Sequence, residues 1–93
     1  MTRIVLPAAL RQYANGASSV ELDHVDGASL AVLLDSLAAG HAALARRIRD
    51  EQGELRRFVN VYVGAEDVRR IGGLSTPVPA DGQVLVLPSV AGG

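Results

Sequence analysis

Residues 58–63 read Phe58-Val59-Asn60-Val61-Tyr62-Val63, and the fold turns on this stretch. Successive side chains of a strand point to opposite faces, so a valine at every second place gives one aliphatic face. Phe58, Asn60 and Tyr62 then share the other. Downstream, Val84-Leu85-Val86-Leu87 is aliphatic at both parities, which predicts a central strand covered on both sides. Pro88 stops that strand, and Ser89-Val90-Ala91-Gly92-Gly93 follows as a tail.

Upstream lies the layer that the valine face needs. Leu30, Leu33, Leu34 and Leu37 fall at i, i+3, i+4 and i+7, a single stripe along an α-helix. Asp26 or Ser29 can cap its start and Gly40 suits its end. Leu44 and Ile48, one turn apart among arginines, mark a shorter helical piece. Asp50 to Glu54, with Gly53, reads as a loop. Nearer the N-terminus, Arg3 to Leu6 is β-branched at its centre and ends at Pro7, and Ser18 to Leu22 reads as a second strand. The Asn15-Gly16 turn signal lies between them, so the two form a hairpin with a long connection. Ala65 to Arg69 is a turn leading to a short extended piece, and Gly72-Gly73 and Asp81-Gly82 mark further turns.

The order strand, strand, helix, strand, short strand, strand predicts an α+β domain, a mixed sheet wrapped on one main helix. A central last strand lies beside the first, in parallel. Residues 1–88 form this domain and residues 89–93 a flexible tail ending in Gly-Gly. With 48% apolar residues and only Tyr13, Phe58 and Tyr62 as aromatics, the core is predicted to be aliphatic.

Charge and composition remove several classes of function. A net charge of -1 carries none of the basic excess of a nucleic-acid binder. The one cationic cluster, Arg46, Arg47, Arg49, Arg56 and Arg57, is interrupted by Asp50, Glu51 and Glu54 and reads as a solvated helix face and loop. Without cysteine there is no disulfide, thiolate metal site or thiol nucleophile. The N-terminal apolar run is too short for a signal peptide, and no stretch approaches the roughly 20 residues that span a bilayer. A cytoplasmic protein without a membrane or nucleic-acid partner is expected.

Chemistry within the domain is equally unpromising. His24 and His41 have no cysteine and no helical histidine partner, so no metal site is expected. No Gly-x-Ser-x-Gly elbow occurs, and Gly72-Gly73 lacks the Lys-Ser/Thr of a phosphate loop. Asp23, Asp26 and Asp35 form no carboxylate pair. No catalytic residue is assigned within the chain.

The strand order together with the closing Gly92-Gly93 resembles the β-grasp (ubiquitin-like) sulfur carriers, a family that includes the thiamine-pathway carrier and the small subunit of molybdopterin synthase. The resemblance is strongest from Phe58 onward: Phe58 to Val63, then Glu66-Asp67-Val68-Arg69, Gly72-Gly73-Leu74, and the ending Leu87-Pro88-Ser89-Val90-Ala91-Gly92-Gly93. These residues are similar to the actinobacterial carriers of cysteine biosynthesis. Gly64 stands where an Asn is common in the family, and Ala80-Asp81-Gly82-Gln83 replaces a more acidic turn.

The resemblance implies a function for the tail. The carboxylate of Gly93 would be adenylated by an E1-like enzyme that uses ATP, then converted to a thiocarboxylate. That sulfur would pass to an acceptor enzyme such as a pyridoxal-phosphate-dependent cysteine synthase. The chain itself would be a cosubstrate, not an enzyme, and would bind no cofactor. Val90, Ala91 and Gly92 would thread the partner's active site, the glycines passing where a Cβ would not. Phe58, Tyr62 and Leu87 would form a partner-docking patch. Alternative roles are a subunit of molybdopterin synthase, a carrier for another metabolite, and a ubiquitin-like interaction module with an incidental tail.

Overall fold

The structure is a computed structural model that describes residues 1–88. The strands are β1 (Thr2–Val5), β2 (Ser19–Leu22), β3 (Val59–Val63), β4 (Glu66–Asp67) and β5 (Gln83–Pro88), and the helices are α1 (Leu30–Gly40) and α2 (Ala42–Ile48). They build one five-stranded sheet in the order β2-β1-β5-β3-β4. β1 and β5 run parallel at its centre, with Ile4 opposite Val84, and the other pairs are antiparallel. The parallel central pair therefore agrees with expectation.

The register sorts the side chains. Ile4 lies opposite Val20 and Val84, and Val61 opposite Val86, so these five share one face. That face packs against Leu30, Leu33, Leu34 and Leu37 of α1 and Leu44 and Ile48 of α2, all buried with it in one aliphatic cluster. Val61 sits at the centre of the cluster, while Val59 and Val63 pack on its fringe. The leucine stripe of α1 thus shares one core with the covered face of β3. This five-stranded mixed sheet grasping a helix is the β-grasp, or ubiquitin-like, arrangement.

Local signals set the element ends. The Ser29 hydroxyl accepts from the Val32 amide at 3.3 Å and caps α1. Asp26, the other candidate cap, instead accepts from the Ala80 amide at 2.9 Å and ties the α1 approach to the turn before β5. Asn15 and Gly16 both take positive φ, 55° and 84°, where asparagine and glycine are the least strained residues. Gly64, between β3 and β4, has φ 62°, a conformation that glycine and asparagine both tolerate.

Two expectations need correction. The connection between β1 and β2 is not plain loop: Ala8–Ala14 winds as a 3-10 helix, burying Ala14 and laying Leu10 and Tyr13 against the core. Leu10, Tyr13 and Ala14 fall at i, i+3 and i+4, but the spacing runs for a single turn only. β5 is central, but only its Val84 and Val86 side is covered, since both helices lie on that face. On its other parity Leu85 is half-buried and Leu87 is exposed.

Candidate functional site: the exit of the central strand and the open sheet face

The open face follows from the same register. Leu85 lies opposite Val5 and Tyr62, and Leu87 opposite Asn60, so these residues share the side away from the helices. Phe58 immediately precedes β3 and is 53% exposed, while Leu87 is 37% exposed. Tyr62, Val5 and Leu85 are half-buried. The result is an apolar strip across β1, β5 and β3, bordered on the β1–β2 side by the Arg3–Glu21 pair at 3.6 Å.

The strip leads to the point where β5 ends. Pro88 pairs with Val59, and an apolar cleft of about 80 Å³ opens there. Pro7 and Leu10 line it from the connection after β1, Phe58 and Val59 from the start of β3, and Val86, Leu87 and Pro88 from β5. The parallel β1–β5 pairing places the end of β1, and hence Pro7, at the same end of the sheet as the exit of β5.

The sequence-assigned residues divide accordingly. Phe58 and Leu87 both border the exit cleft, and Tyr62 lies farther along the same open face. Val90, Ala91, Gly92 and Gly93 lie outside the described residues. Val5 and Leu85 belong to the strip and were not singled out from sequence. For Leu85, the period-two partner of Leu87, the signal was present. For Val5 it was not, because β1 is too short for its parity to identify a face.

A further group was missed. Arg69 Nη1 donates to Val59 O at 2.6 Å and to Asn60 Oδ1 at 2.9 Å, and its Nη2 donates to Arg56 O at 2.8 Å. The Arg57 guanidinium stands 6.0 Å from the centroid of the Phe58 ring. Elsewhere the polar residues serve the fold. Asp35 pairs with Arg49 at 2.6 Å, and His24 Nε2 lies 2.9 Å from Ala28 O. His41 sits at the break between α1 and α2. Among the described residues no three His, Asp or Glu side chains converge, and no helix is long and apolar enough to cross a membrane. The arrangement presents an apolar surface beside the point where β5 ends.

Comparison with known proteins places this geometry in a lineage. The chain is 38% identical over 92 residues to the sulfur carrier protein CysO of Mycobacterium tuberculosis, covering 97% of this chain and 96% of the relative. The crystal structure of M. tuberculosis CysO superposes with a TM-score of 0.84 at 35% identity, over 97% of this chain and 100% of that one. CysO in the BexX/CysO complex of Amycolatopsis orientalis also gives a TM-score of 0.84, at 36% identity and full coverage of both chains. SAMP1 of Haloferax volcanii follows at 0.79 and 29% identity, covering 99% and 98%. A sequence profile of the ThiS family matches residues 4–93, so the match runs through the Gly-Gly end. The chain belongs to the ThiS family.

Proposed function

We propose that this protein is a sulfur carrier whose working group is the carboxylate of Gly93. The observation that carries the proposal is the near-full-length similarity to CysO, 38% identity over 92 residues. The fold supports it. The last strand, β5, is central, paired with β1 as far as Leu85 and with β3 as far as Pro88, so the point at which the described chain ends is fixed to the sheet. A partner that grips the sheet therefore also fixes where the tail begins.

In this reading an E1-like partner binds ATP, and an oxygen of the Gly93 carboxylate attacks the α-phosphate, releasing pyrophosphate. A sulfide-level nucleophile held by the partner then attacks the acyl carbon. AMP leaves with the oxygen, and a thiocarboxylate remains on Gly93. Val90, Ala91 and Gly92 occupy the partner's channel, and Phe58, Tyr62 and Leu87 contact its surface. Exposed apolar patches of this kind commonly mark partner surfaces. The pathway is cysteine biosynthesis, with a pyridoxal-phosphate-dependent synthase as acceptor and the cytoplasm as the place. The chain contributes the acyl group and the docking surface, and the partner contributes the catalysis.

The test is intact mass after incubation with the cognate activating enzyme, ATP and a sulfur source. A carrier gains the difference between sulfur and oxygen, localised to Gly93 by fragmentation. A tight stoichiometric complex with a larger catalytic subunit, without free thiocarboxylate, would instead support the synthase-subunit role.

A further inference from the structure

β3 has an edge problem. The Gly64 amide donates to Gln83 O at 3.1 Å, so alternate residues Asn60 and Tyr62 direct their backbone groups toward β5. Those of Val59 and Val61 point to the outer edge. β4 covers that edge only at Tyr62 and Val63. An uncovered edge carbonyl needs a donor, and at Val59 the donor is Arg69.

The same guanidinium does more than cover the edge. It also holds Arg56 O, which accepts in addition from the Val59 amide at 3.1 Å in the turn that carries Phe58. Arg56 is fixed from behind as well: its amide donates to Ile48 O at 2.9 Å, and its Nε to Arg46 O. Arg69 is itself set by Asp67, whose carboxylate accepts from the Arg69 amide at 3.0 Å. The exposed Phe58 thus sits on a four-residue bridge whose two ends, Arg56 and Val59, are clamped by one side chain. No carboxylate oxygen lies within ion-pair distance of Arg69 among the described residues, so hydrogen-bond geometry, not charge pairing, defines its place.

We infer that Arg69 is a positioning residue that holds Phe58 in the orientation in which the activating partner receives it. The inference rests on the carrier reading and deepens it. Arg69 does not itself touch the reacting carboxylate. Its planar fork reaches acceptors on both ends of the bridge through separate nitrogens, which the single ammonium of lysine cannot do. An ordered anchor costs less entropy to dock than a mobile one, so the effect falls on recognition.

The experiment is steady-state thiocarboxylate formation with the activating enzyme, varying the carrier concentration, for wild type, R69A, R69K, F58A and R69A/F58A. For R69A the KM for carrier should rise about tenfold, the scale of a lost interface anchor, with kcat retained. R69K should show most of the same defect although it keeps the charge. The double variant should be no worse than F58A, because both changes remove one contact. Amide exchange at Val59 should quicken in R69A, reporting the loosened bridge in the free protein. A wild-type KM in folded R69A, a fully active R69K, or additive losses in the double variant would overturn the positioning role while leaving the carrier reading intact. Absence of sulfur loading in the wild type would overturn both.

Discussion

The two faces of β5 carry side chains of the same chemistry and meet opposite fates. Val84 and Val86 are 0% exposed beneath the helices, whereas Leu87, one residue on, is 37% exposed on the other side. Apolar sequence therefore has two outcomes in one strand: one parity builds the core, and the other stays on the open side of the sheet. β5 is held by β1 as far as Leu85 and by β3 as far as Pro88, so both of its faces are presented from a fixed backbone.

The sharpest way to test the division is to change the part that belongs to neither face. Deleting Gly93, or adding one residue after it, should abolish sulfur loading while leaving the melting temperature unchanged. One extended residue spans about 3.3–3.6 Å, enough to destroy attack geometry at the nucleotide. Normal loading of either variant would break the proposed chemistry. On the covered face, Leu33→Ala or Leu37→Ala should cost about 2–5 kcal/mol of stability, read by denaturant unfolding. Losses near zero at both would mean that the α1 stripe is not the core.

The faces can then be set directly against each other within β5. Val86→Ala should cost about 1.5–3 kcal/mol, the scale for removing most of a buried aliphatic side chain from the core. Leu87→Ala should stay within about 0.5 kcal/mol of wild type, as for surface sites, yet weaken binding to the activating enzyme. Equal stability losses at the two positions would erase the distinction between the faces. The smallest effect belongs to the surface. Asp35 is 70% exposed in its pair with Arg49, so Asp35→Asn should change stability by no more than about 1 kcal/mol, with part of that lost in high salt. A larger, salt-insensitive loss would show that this pair is structural.

Much of the fold was legible because it rests on local periods. The α1 stripe and the alternation of Val59, Val61 and Val63 each reveal a period within a dozen residues, and both survive in the structure. The Ala8–Ala14 turn was not legible, since the spacing of Leu10, Tyr13 and Ala14 covers one turn only and does not repeat. At the candidate site, Phe58 and Leu87 could be singled out as apolar residues on the unlike face of a strand. Arg69 could not. Its three acceptors lie 9 to 13 residues away in sequence and converge only once β3 and the Val68–Arg70 turn are packed together.

By itself the sequence determined which residues alternate, where the helix runs, and that glycines end the chain, because backbone sterics and side-chain spacing act between near neighbours. Only the tertiary structure decided which of two equally apolar parities of β5 is covered. That choice depends on which face the helices occupy, and a single strand, symmetric in its own hydrophobicity, holds no information about the layer that packs against it.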